Sequence, residues 1–218
     1  TQLGWEDDDH PLPAGNWETI APSPLPYLEG ISPPPREMTR ADMDRVLAEF
    51  VQSARYAIEA AFDMLELHMA HGYLLASFLS PLTNLRPDGY GGSVANRLRF
   101  PLEVLAAVRA AWPAERPLSV RLSSSDWAPG GLSERELIEI ARAMKAGGAD
   151  LLDLSSGQTV PWQKPVYGRM WQTPFSDLVR NVVDIPTIAV GNIFEADHAN
   201  SIIASGRASQ ALSLAVGR

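Results

Sequence analysis

Residues 63–100 read DMLELHMAHGYLLASFLSPLTNLRPDGYGGSVANRLRF. The stretch begins as a strand, 64–69, and ends in a polar, glycine-rich segment. His68, His71 and Tyr73 sit where that strand should end. In a parallel α/β protein the carboxyl ends of strands are where chemistry is done. That placement separates the segment from an ordinary core strand.

Working outward, the chain on both sides is regular. Upstream, Thr39 is placed to cap a helix with Asp42 in its first turn, and Met43, Val46, Leu47, Phe50, Val51 and Ala54 recur on one face. Downstream, a helix is expected around Leu102–Val108 with Pro101 in its first turn. Strand 118–123 follows, then a helix opened by the capping box Ser133/Glu136 and stopped at Gly147-Gly148. Strand 151–154, helix 175–183, strand 185–190, helix 196–204 and a last strand 211–215 complete the order. Short apolar strands alternating with amphipathic helices predict a parallel sheet with right-handed crossovers. The absence of a fixed repeat favours a (β/α)8 TIM barrel over a solenoid. Residues 1–38, with EDDD at 6–9 and a scatter of prolines, read as an irregular extension over a barrel domain at 39–218.

Strand alternation sorts the faces. With Leu65 and Leu67 toward the helices, Glu66 and His68 face the interior. Arg121, Asp153 and Ser155 face inward on the next two strands. On the strand at 185–190, Ile188 and Val190 are expected outward, with Ala189 and Gly191 inside. A barrel interior filled only for packing favours branched apolar side chains. A polar upper interior of His68, Arg121 and Ser155 implies a polar ligand.

Composition sets the outer bounds. The chain has 218 residues, 45% of them hydrophobic, enough for a domain with a sizeable core. A net charge of −8 disfavours a nucleic-acid surface. No cysteine is present, which excludes disulfides and thiolate metal ligands. No apolar run of about 18 residues suggests a membrane span, no leader pattern is visible, and the cytoplasm is the expected compartment.

The ordered set His68-x-x-His71-x-Tyr73, Phe78-Leu79-Ser80-Pro81, Asn84, Arg86, Asp88, Tyr90-Gly91-Gly92-Ser93, Asn96-Arg97 and Arg99-Phe100 resembles the old yellow enzyme family of FMN-dependent ene-reductases. Ser119–Ser123, Asp126-Trp127, Ile188–Ile193 and Gly206-Arg207-Ala208 extend the match over roughly residues 40–208. A narrower set, Gly4-Trp5, Pro11-Leu12-Pro13, Gly15-Asn16-Trp17, Ser23–Tyr27 and Gln158–Pro161, is similar to the flavoreductase half of 2-aminobenzoyl-CoA monooxygenase/reductase and salicylyl-CoA 5-hydroxylase. There an FAD monooxygenase domain precedes the old-yellow-enzyme-like one.

The resemblance implies FMN as cofactor, NAD(P)H as hydride source, and an enone or aryl-CoA-like small molecule as substrate. It implies that His68 and His71 hydrogen-bond the substrate's carbonyl oxygen, where donors stabilise developing negative charge. Tyr73 matches the residue that delivers a proton to the α-carbon. Arg121 matches the arginine beside the flavin ring. Gly191 matches a glycine that lets the phosphate approach the backbone, and Gly217-Arg218 the Gly-Arg pair that grips it. An upstream FAD domain or a second copy of the chain are the macromolecular partners it suggests.

Two departures accompany it. Only about five strands are legible, so the barrel reads as incomplete, and the resemblance implies that it lacks its first three strands and its end. After Ala208 the text ASQALSLAVGR leaves the family pattern, as a frameshift or truncation would. Other readings stay open: a non-catalytic barrel fragment, a metal-dependent barrel hydrolase using His68 and His71, interior histidines without chemistry, and an Arg121 that merely pairs with Glu66.

Overall fold

The computed structural model describes residue 11 and residues 14–211. The extension forms two short strands, β1 (Ile20–Ala21) and β2 (Arg36–Glu37), paired in parallel. Buried Arg86 ties it down by donating to the carbonyls of Met38 at 2.8 Å and Pro22 at 3.2 Å. Helix α1 (Arg40–Glu59) starts at the Thr39/Asp42 capping box and buries Met43, Val46 and Ala54.

A five-stranded sheet forms the frame. Strands β3 (Leu65–Met69), β4 (Leu118–Ser123), β5 (Leu151–Ser155), β6 (Thr187–Ala189) and β7 (Gln210–Ala211) lie in sequence order, all parallel. Between them run α2 (Leu74–Leu79), α3 (Val94–Ala111), α4 (Glu134–Ala146), α5 (Thr173–Val183) and α6 (Ala196–Ala204). Leu67, Met69, Val120, Leu122, Leu152 and Leu154 pack with Val104, Leu105, Ile140 and Val179 of the helices into one core. The architecture is an arc of a (β/α) barrel, with helices outside and a polar face within. Of the last expected strand, 211–215, only Ala211 lies among the described residues.

Two expectations need correction, and one helix went unread. The helix expected to begin at Pro101 begins at Val94, with Ser93 Oγ accepting from Asn96 N, and holds Pro101 in its interior. An interior proline costs about 3 kcal/mol. The helix persists because Leu98, Phe100, Val104, Leu105 and Val108 are buried along it and Phe100 packs on Phe78 at 4.9 Å. Buried Arg97 also fastens its first turns, bonding the Leu79 carbonyl and Glu136. Helix α2 shows no periodicity in the sequence because five of its six residues are buried.

The faces of β6 are reversed. Asp153 pairs with Ile188, and Leu154 with Ala189. Residues paired across parallel strands point to the same side, so Ile188 is inward and Ala189 outward. Accordingly Ile188 and Val190 cluster with inward Leu151, while Ala189 packs with Ile202 of α6. With an apolar residue at every position from 188 to 190, alternation alone could not choose between the faces.

Candidate active site

The interior face is built in layers by strand register. His68, Arg121, Asp153 and Ile188 are successive register partners across β3 to β6. Ser123 and Ser155 lie one layer above, Glu66 and Ser119 one below. Ser119 Oγ donates to Glu66 at 2.8 Å. Arg121 does not pair with Glu66, as one sequence reading allowed. Its partner is Asp153, with Nε 3.3 Å from Oδ2.

The chain after β3 turns sharply. His71 has φ +60 and Gly72 φ +69, both left-handed. A Cβ on Gly72 would stand 2.4 Å from the Gln158 carbonyl, so only glycine fits. The turn is held by the His71 backbone N–H donating to Ser123 Oγ at 2.8 Å, and Nε2 lies 2.7 Å from Ser155 Oγ. It returns Tyr73 toward the strand as the N-cap of α2. The His68 ring centroid is 5.2 Å from those of both His71 and Tyr73. The three residues therefore share one strand end, and the Tyr73 side chain is 61% exposed toward solvent.

Electrostatics keep the imidazoles uncharged. Burial, reinforced by Arg121, lowers His68. His71 is lowered to about 4 by burial, then by Arg121 and His68. At neutral pH each ring offers one N–H donor and no net charge. Among the described residues no three His, Asp or Glu side chains converge as a metal site.

A cavity of about 230 Å³ opens beside this cluster, with His71, Arg121, Ser155, Gln172 and Gly191 on its wall. Gly191 has φ +102, and a Cβ there would meet Gln172 Nε2 at 2.6 Å and Trp171 Nε1 at 3.0 Å. The space beside this glycine is thus taken by two N–H donors. Arg121 also lines the cavity, and its terminal nitrogens find no acceptor among the described residues. A cavity rimmed by a guanidinium, amide donors and a bare glycine suits a planar, acceptor-rich anion.

Part of the lining is aromatic. Tyr167 and Trp171 meet at 4.9 Å, and Trp171 and Trp127 at 5.6 Å. Trp127 is anchored by Nε1 donating to Ser156 Oγ at 2.9 Å. Buried Asp126 joins three loops, accepting from Ser80 Oγ, Thr159 Oγ1 and the Leu132 N–H. Ser123, Gln172 and Trp171 were not foreseen as parts of this site; lone hydroxyls and amides carry no spacing signal. Gly217 and Arg218, expected at the phosphate, lie outside the described residues, as do Gly4 and Trp5.

Comparison with known proteins accords with this geometry. The signature of the NADH:flavin oxidoreductase / NADH oxidase family matches residues 16–216. An NADPH dehydrogenase of Geobacillus thermodenitrificans (strain NG80-2) is 46% identical over 191 residues, covering 88% of this chain and 55% of that protein. An NADPH dehydrogenase of Clostridium acetobutylicum is 40% identical over 192 residues, covering 88% of this chain and 56% of that one. The chain spans about half the length of these relatives. The solved complex of 2-naphthoyl-CoA reductase with 2-naphthoyl-CoA superposes with a TM-score of 0.82 at 28% identity, over 90% of this chain and 31% of that one. Morphinone reductase gives 0.72 at 27%, over 90% and 55%. The chain belongs to the NADH:flavin oxidoreductase / NADH oxidase family, the old yellow enzymes, which work with FMN and NAD(P)H.

Proposed function

We propose that this chain carries the substrate-reducing site of an FMN-dependent NAD(P)H oxidoreductase acting on an electron-poor C=C bond conjugated to a carbonyl. The carrying observation is the convergence of His68, His71 and Tyr73 at one strand end beside the cavity that Arg121 lines. FMN, when bound, supplies hydride storage between NAD(P)H and the substrate's β-carbon.

The chain's residues supply the rest. His68 and His71, held neutral, donate hydrogen bonds to the carbonyl oxygen and stabilise the charge that develops there. Exposed Tyr73 donates its phenolic proton to the α-carbon. Arg121 would hold the electron-rich edge of the flavin through its unspent terminal nitrogens. Gly191 and Gln172 would hold the cofactor's polar groups. Gly217 and Arg218 keep their place in this reading as phosphate ligands.

The substrate's carbonyl belongs to an aromatic acyl group, an aryl-CoA thioester by class. The Trp171–Tyr167 wall supports this, since flat rings stack on such faces. The 2-naphthoyl-CoA complex among the structural relatives supports it as well. An FAD monooxygenase domain upstream or a second copy of the chain are the partners that fit this substrate class.

Separating the two half-reactions tests the assignment. With FMN bound, Tyr73→Phe should slow substrate-dependent flavin oxidation by about 10²-fold or more. Flavin reduction by NAD(P)H should change little. Equal loss in both halves would remove Tyr73 from the proton role, and a chain that stays colourless with FMN would remove the cofactor.

A further inference from the structure

Asp153 has no part in the chemistry above, yet it is 2% exposed at the centre of the interior layer. Its Oδ2 is 3.3 Å from Arg121 Nε, but its Oδ1 and that Nε both lack a hydrogen-bond partner. A buried carboxylate with a bare oxygen is costly, and an apolar side chain would pack there at less cost. Its register partner on β6, Ile188, is apolar. The charged and titratable groups around it come from β4 and β3: Arg121 beside it, His68 in the same layer, Glu66 one layer below. Burial pushes its carboxyl up to about 7, against the pull of Arg121 and with a push from Glu66. Both protonation states are therefore in reach at neutral pH.

The state of Asp153 decides what the cavity feels. Ionised, it cancels the Arg121 guanidinium and leaves the cavity floor neutral. Protonated, it leaves Arg121 as an uncompensated cation. Negative charge arriving at the terminal nitrogens of Arg121 competes with Asp153 for the same cation, and so draws a solvent proton onto the carboxylate.

We propose that Asp153 is a positioning residue that sets the net charge Arg121 presents to the cavity, lying beside its inner nitrogen and taking up a proton when negative charge develops on a bound ligand. The proposal rests on the reading of the cavity as a flavin site, but its first test needs no flavin.

On the full chain, the imidazole signals of His68 and His71 are titrated by NMR in wild type, Asp153→Asn and Asp153→Ser. Arg121 already depresses both histidines, so their rings are largely neutral while Asp153 titrates. In wild type their shifts should therefore carry a step near neutral pH, as ionisation of Asp153 offsets Arg121, and both variants should lose that step. A wild type without the step, or variants that keep it, overturn the proposal. The second arm measures the reduction potential of bound FMN against pH. Asp153→Asn should raise the potential above neutral pH and flatten its pH dependence; superimposable curves overturn the proton uptake. Failure of every form to retain FMN would count against the flavin reading alone, because the histidine titrations still decide whether Asp153 governs Arg121.

Discussion

Asp153 and His71 lie on the same interior face, and burial moves their protonation in opposite directions. Asp153 is raised from 3.8 to about 7, so the native chain holds that proton more tightly than the unfolded one. The stability this adds is full below about pH 4 and is lost as pH rises to about 7. His71 is lowered from 6.5 to about 4, so the unfolded chain holds that proton more tightly. Its effect runs the other way, and stability recovers as pH rises from about 4 to 6.5. The two slopes oppose each other across that window, and His68, also lowered, adds to the climb. Followed by denaturant unfolding between about pH 4.5 and 6.5, Asp153→Asn should therefore gain stability with pH more steeply than wild type. Parallel profiles would show that Asp153 does not titrate there. At this scale the sequence brought His68, His71 and Tyr73 to one strand end but not their surroundings. Alternation on β3 and β4 placed His68 and Arg121 inward, and both lie there. Ser155 was placed inward too, but that its hydroxyl and that of Ser123 fix His71 was not legible, because a serine at a strand end has too many ordinary uses.

Elements were legible where a pattern had a single reading. The capping boxes at Thr39 and Ser133 and the stop at Gly147 mark α1 and α4 within one or two residues of their ends. Elements without contrast were not legible. Helix α2 is buried all round, α3 carries a proline within it, and β6 is apolar on both faces. In each case tertiary packing, absent from any local window, decides the outcome. The segment 156–172 between β5 and α5 bears most on the proposed substrate class, since it brings Tyr167 and Trp171 to the cavity wall. Aromatic pairing contributes about 0.5–1.5 kcal/mol beyond burial. Trp171→Ala should therefore raise KM for an aromatic acyl substrate about threefold to tenfold, and leave a small aliphatic enone nearly unaffected. Steady-state kinetics on both substrates checks this, and parallel losses would make Trp171 a packing residue.

For the whole molecule, alternation of short strands and amphipathic helices was enough to predict the parallel arc, and the order β3 to β7 follows the chain. Curvature and strand neighbours follow from right-handed crossovers, which is why topology was more legible than side-chain contacts. One consequence of that order concerns time rather than geometry. Among the described residues β3 pairs on one side only, with β4, whereas β4 and β5 are paired on both. The strand that leads into His68 and His71 is thus the edge of the described sheet. Edge strands open at lower free energy than central ones. In deuterium exchange, amides of β4 and β5 should outlast those of β3 by orders of magnitude. Within β3, the Leu65 amide, bonded to the Pro117 carbonyl, should be among the slower ones. Uniform protection across the three strands would show the edge to be covered. Where the exchange order holds, the histidines ride on a faster-breathing strand than Arg121 and Asp153, and the wait for a competent site is set by how often that strand is closed.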